Sequence, residues 1–157
     1  ANLYQLRWSV ELLHEMERNL VKTAAMPADK AQRLRAKMEQ VFPEAMVTGY
    51  EPLVRTMQND AKDRHVVAAA VKSGAQIIVT ANLKDFRPLP PGIRAQSPDE
   101  FLCQLFQIDP ARFVQLLRDQ AADLQNPPVT LEALLDRLTY AAPQLASLVR
   151  TRLGLSG

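Results

Sequence analysis

Apolar residues first recur at helical spacing in Val10, Leu13, Met16 and Leu20, behind a Ser9 suited to be an N-cap, and predict a helix running to about Ala24. Pro27 favours a first helical position, and Ala31, Leu34, Met38 and Val41 line one face of a second helix that Pro43 stops. Residues 45–50 read as a short strand, and residues 51–59 carry no clear period. A helix opens in acids at Asp60, buries Val66, Val67, Ala70 and Val71, and ends at Gly74. Ile77, Ile78 and Val79 then form an unbroken β-branched run, the pattern of a strand covered on both faces in a parallel sheet. A loop rich in Asn, Asp and Pro spans residues 81–92, and residues 93–96 read as a second short strand.

The last third is helical in pattern. Ser97, Pro98 and Glu100 form the signature of a capping box, and Asp109-Pro110 opens a further helix that ends near Asn126-Pro127-Pro128. Thr130 caps a last helix, interrupted near Pro143 and closed by Gly154. Alternation of helix and strand up to residue 96 predicts an α/β sheet, and the leucine stripes that follow predict a packing or partner-binding element.

Composition narrows the class. At 157 residues and 47% hydrophobic, the chain is long enough to bury a sizeable core. A net charge of +2 is too small to identify a nucleic-acid partner. The distribution says more, since Arg18, Lys22, Lys30, Arg33, Arg35 and Lys37 crowd into the first two helices. That crowding suits a phosphate-facing patch, and equally a solvated face. Cys103 is the only cysteine, which rules out an internal disulfide, suggests a buried thiol and fits a reducing cytoplasm. No apolar run approaches the roughly 18 residues of a membrane span, so no membrane association is expected. The start lacks a signal-peptide pattern, and the absent initiator Met leaves processing or truncation open.

Acidic residues lie at both ends of one helix–strand unit. Asp60 and Asp63 stand one turn apart at a helix start, and the following strand delivers Thr80, Asn82 and Asp85 to its C-terminal edge, where ligands bind in open α/β sheets. Glu15 lies at the apolar border of the first helix, where a carboxylate needs a partner. Taken singly, each has a local explanation: Asp60 or Asp63 as a helix cap, Asp85 as a turn former, Glu15 as the partner of Arg18. His65 reads as a satisfied helix residue, and His14 has no Cys or His at metal-ligand spacing, so neither joins the candidates. No Ser-His-Asp, phosphate-loop or dinucleotide signature occurs.

The segment Asp60-Ala-Lys-Asp-Arg-His-Val-Val-Ala-Ala-Ala, followed by Ile-Val-Thr-Ala-Asn-Leu-Lys-Asp-Phe86, resembles the signature half of PIN-domain ribonucleases. It looks most like the VapC-like toxin branch with a helical C-terminal extension, and Trp8-Ser9 followed by Glu15 fits the same pattern. The resemblance implies a three-layer α/β sandwich with a mostly parallel sheet over residues 1–100 and a helical extension over residues 101–157. It implies Mg²⁺- or Mn²⁺-dependent cleavage of RNA, with Glu15, Asp63 and Asp85 as metal ligands and Asp60 and Asn82 beside them. Hard cations prefer carboxylate oxygens, which suits that set.

Three departures qualify the match. Asn82 stands where many relatives have Asp, and Glu11 shares the helix of Glu15 as a competing acid. A first strand ending in an Asp is also missing before Asn2-Leu3-Tyr4, so Ala1 is expected to be a boundary within a longer native protein. The resemblance further implies an antitoxin partner, self-association into a homodimer and a cytoplasmic setting. The alternative reading is a catalytically silent PIN-like module that binds RNA or protein.

Overall fold

The computed structural model describes residues 4–124 and 128–155, grouped into two compact units. The first comprises residues up to Ile78 together with Asn82–Ala95, and the second Val79–Ala81 with residues from Gln96 onward.

In the first unit, α1 (Val10–Lys22) starts where the Ser9 hydroxyl accepts from the Leu12 amide at 3.1 Å, and it packs beside α2 (Ala28–Val41). Residues 45–50 do not form the expected strand. Pro43–Ala45 is a 3₁₀ turn, and the extended pairing reduces to one parallel bridge between Trp8 and Met46. Gly49, at φ 74°, turns the chain into the single-turn helix α3 (Glu51–Val54).

The helix expected from Asp60 is divided. Ala61–Asp63 is a 3₁₀ turn capped by the Asp60 side chain, which accepts from Lys62 N at 3.2 Å, and α4 (Arg64–Ser73) follows. Gly74, at φ 71°, ends it as expected. The buried side of α4 also differs, running through His65 and residues 67–70, while Val71 is 36% exposed. Small side chains let both faces be covered. Ala68 and Ala69 pack with Val47 and Tyr50, whereas Val67 and Ala70 pack with Ile78 and Phe86.

Strand β1 (Ile77–Val79) pairs with β2 (Arg94–Gln96) in a two-stranded parallel sheet. Arg94 N donates to Gln76 O at 3.0 Å and Thr80 N to Gln96 O at 2.9 Å, which sets the register. The expectation of cover on both faces holds for Ile78, at 5% exposure, and fails for Val79, at 44%. The α/β class read from the sequence is correct, and helices dominate it.

The second unit contains α5 (Pro98–Ile108), α6 (Pro110–Asp123), α7 (Leu131–Ala141) and α8 (Pro143–Leu153). The interruption expected at Pro143 divides two separate helices with Ala142 as their shared boundary. Asn126 and Pro127, expected within the stop of α6, lie outside the described residues. Leu135, Leu145 and Val149 are essentially inaccessible and form the centre of this unit.

Ala142 offers no side chain to cap α8, and Asp99 of α5 does so instead. Its Oδ2 accepts from Gln144 N at 3.0 Å and its Oδ1 from Leu145 N at 2.9 Å. Each bond satisfies an amide that a helix start leaves unpaired. The Cys103 thiol reaches the same carboxylate at 3.6 Å, and burial, reinforced by that charge, pushes its pKa up. Replacing Asp99 by Ala orphans two amides, one of them buried, and is expected to cost about 1–3 kcal/mol in a denaturant titration. Asp99→Asn, which keeps one acceptor oxygen, should cost less.

Candidate active site

The acids singled out in the sequence belong to the first unit, and a backbone clamp brings their elements together. Asn59, 2% exposed, donates from Nδ2 to the carbonyl of Asp85 at 3.2 Å, and the Asp60 amide donates to that same oxygen at 3.2 Å. The segment before α4 is thereby tied to the 3₁₀ turn Leu83–Phe86 beyond β1. Arg64 Nε closes the corner on Asn59 O at 2.9 Å, and Asp85 N donates to Asn82 O at 3.0 Å.

Asp63 sits inside this corner. Unlike Asp60, it makes no side-chain capping bond, and its Oδ2 is buried without a hydrogen-bond partner. Burial pushes its carboxyl above the ordinary carboxylate range; Lys62 opposes that shift, while the negative charges of Asp85, Glu15 and Asp60 add to it. The acids from α1, the 3₁₀ turn and the loop beyond β1 therefore act on one another. Lys62 Nζ lies 3.1 Å from Asp85 Oδ2, and this contact, with the nearby acids, raises the lysine's pKa.

Glu15 does not take the surface role with Arg18. Its Oε1 lies 2.9 Å from Nε2 of His65, a ring only 5% exposed. Glu11, one turn earlier, accepts from Tyr50 OH at 3.0 Å and stands 3.6 Å from His65 Nδ1. His65 is thus satisfied on one side only, since Nδ1 is buried without a partner. Sequence reading set His65 aside and did not single out Asn59. A polar residue amid the apolar run of α4 was the one available signal for His65, and an Asn just before the acid pair was the one for Asn59.

The basic crowding on the first two helices is partly neutralised. Arg33 bonds Asp29 at 2.6 Å, and Arg35 is held by Glu17 and, at 2.9 Å, by Glu39. Around Asp63 the chemistry suits a hard divalent cation: oxygen donors gather, one buried oxygen lacks a donor, and an ammonium group already rests on a neighbouring carboxylate. Among the described residues, no three acid, His or Cys side chains are close enough to hold one ion together.

Comparison with known proteins accords with this arrangement. The family described as "PIN domain" matches residues 1–84, and that described as "VapC50 C-terminal domain" matches residues 98–151. The chain belongs to the PIN-domain family. Among its relatives is "Putative ribonuclease VapC50" of Mycobacterium tuberculosis (strain ATCC 25618 / H37Rv), 39% identical over 109 residues. That alignment takes in 68% of this chain and 64% of the relative, so the chain spans less than two thirds of that protein's length. No solved structure matches the chain significantly.

The buried Asp63 carboxyl gives a pH-dependent stability. Its folded pKa lies above the unfolded one, so the folded state binds the proton more tightly, and stability falls as pH rises through the interval between the two. Asp63→Asn removes that cost. It is expected to stabilise the metal-free protein at neutral pH by about 1 kcal/mol, the low end for an unsatisfied buried polar group. Equal melting temperatures for the two proteins at pH 7 would contradict this.

Proposed function

We propose that this chain is a Mg²⁺- or Mn²⁺-dependent endoribonuclease, the toxin of a type II toxin–antitoxin pair. The observation that carries the reading is the Asp63 carboxylate, buried, short of a donor and facing the charges of Asp85, Glu15 and Asp60. Folding tolerates such repulsion where a cation is to be bound, and uncompensated buried charge clusters at functional sites. Family membership and the ribonuclease named among the relatives point the same way.

In this reading residues 1–100 form the nuclease domain and residues 101–157 the helical extension. Glu15, Asp63 and Asp85 hold the ion, with Asp60 and Asn82 beside them. A bound divalent ion acidifies a water and offsets the charge developing on the phosphate. Asp60 shapes the turn through its bond to Lys62 N, which fixes where Asp63 stands. The Lys62 side chain is 65% exposed, so it is free to leave Asp85 for a phosphate oxygen once that carboxylate has another counter-charge. An antitoxin that covers this acid cluster, a homodimeric toxin and a reducing cytoplasmic setting complete the proposal. For the membrane, the observation is that no helix among the described residues is long and apolar enough to cross one.

One observation favours a second reading, a silent PIN-like module that binds RNA or protein without cutting. It is the absence, among the described residues, of three ligands close enough to share an ion, together with Asn82 where many relatives carry Asp. Cleavage of RNA with Mg²⁺ or Mn²⁺ separates the two. Activity should vanish with a chelator and fall at least about 100-fold in Asp63→Asn, the scale of losing a main electrostatic stabiliser, with RNA binding retained. RNA binding without cleavage at any concentration of either ion would establish the silent module.

A further inference from the structure

We propose that His65 is a positioning residue that selects Glu15 over Glu11, using its Nε2–H to hold Glu15 at the acid cluster while Tyr50 retains Glu11 outside it. The proposal rests on the nuclease reading and adds to it a residue that touches neither ion nor RNA.

Glu11 and Glu15 are four residues apart on α1 and therefore share a face. Chemically they are equivalent, so something other than residue type must choose between them. His65 lies between the two, and its bonds are unequal. Nε2 is 2.9 Å from Glu15, a hydrogen bond, whereas Nδ1 is 3.6 Å from Glu11, outside hydrogen-bonding range. A carboxylate only accepts, so Nε2 carries a proton and donates it to Glu15.

Tyr50 completes the sorting. Its hydroxyl donates to Glu11 at 3.0 Å from a ring that is only 6% exposed and packed against Ala68 and Ala69. The Glu11 side chain is 52% exposed and Glu15 33%, consistent with Glu11 lying toward solvent. Only Glu15 contributes to the electrostatic environment of Asp63. His65 can hold Glu15 because its own position is fixed: it is the second residue of α4, one step from Arg64, whose guanidinium is bonded to Asn59 O. Asp63 immediately precedes that helix, so the same backbone places a ligand and the group that orients another ligand.

Bonds of this kind orient ligands, and losing one typically weakens metal affinity about 10–100-fold. The test is Mn²⁺ binding to the full chain, by electron paramagnetic resonance, in the wild type and in His65→Ala, His65→Gln, Glu15→Gln and Glu11→Gln. His65→Ala is expected to weaken binding about tenfold or more, and His65→Gln, whose amide offers an N–H donor, to recover most of it. Glu15→Gln should be weakened as His65→Ala is, and Glu11→Gln should stay within about twofold of wild type.

Wild-type affinity in His65→Ala would overturn the proposal. So would equal weakening in the Ala and Gln variants, which would reduce His65 to packing, or equal weakening in both glutamate variants, which would remove the selection. If the wild type bound no Mn²⁺, the nuclease reading would fall and this proposal with it, an outcome distinct from the others. Should His65→Ala not fold, the unaltered chain supplies the answer. Titration with diamagnetic Mg²⁺ should shift the His65 Nε2–H resonance, and Glu15→Gln should abolish that response; a resonance indifferent to Mg²⁺ overturns the proposal.

Discussion

One carbonyl oxygen holds the candidate site together. Asp85 O accepts from both the Asn59 side chain and the Asp60 amide, joining the corner before α4 to the turn beyond β1. Carboxylates repel one another, and nothing in their own chemistry would gather Asp60, Asp63 and Asp85 at one place. The gathering is done by neutral backbone groups and one buried amide side chain, supported by the apolar packing of Val67, Ala70, Ile78 and Phe86. Hydrogen bonds that carry no net charge thus set the positions of groups that do.

The same division of labour appears at α1. Ser9 fixes where that helix starts, and the helical repeat then places Glu11 and Glu15 on one side. Their different surroundings come from elements reached much later in the chain, His65 and Tyr50. Lys62 adds a mobile counter-charge to a cluster that otherwise lacks one on Asp63. A cluster of this kind is stable enough to fold and uneven enough to favour a cation, the compromise expected where function opposes stability.

Local signals explain which parts could be read in advance. Ser9, Ser97, Thr130, Gly74 and Gly154 act through atoms within a few residues of themselves, so their helix boundaries were legible. The β-branched run at 77–79 was equally clear, although the exposure of Val79 depends on what covers the sheet and is not encoded locally. Residues 45–50 misled for the same reason. Their composition suits a strand, yet only Trp8 pairs with them, and a single bridge is what remains. At the site, Asp63 and Asp85 stood out through the family pattern and Glu15 through its place on an apolar border. His65 and Asn59 did not, because their importance lies in partners 50 and 26 residues away.

The Asp99 cap carries a consequence for how the chain is made. The carboxylate belongs to α5, and the amides it serves, on Gln144 and Leu145, are separated from it by 45 and 46 residues. During synthesis Asp99 leaves the ribosome well before those donors exist, and until then water must satisfy it. The helical unit therefore cannot lock progressively from its N-terminal side; it waits for its final helix, and a ribosome that stalls before α8 emerges leaves a nascent chain with this anchor unused.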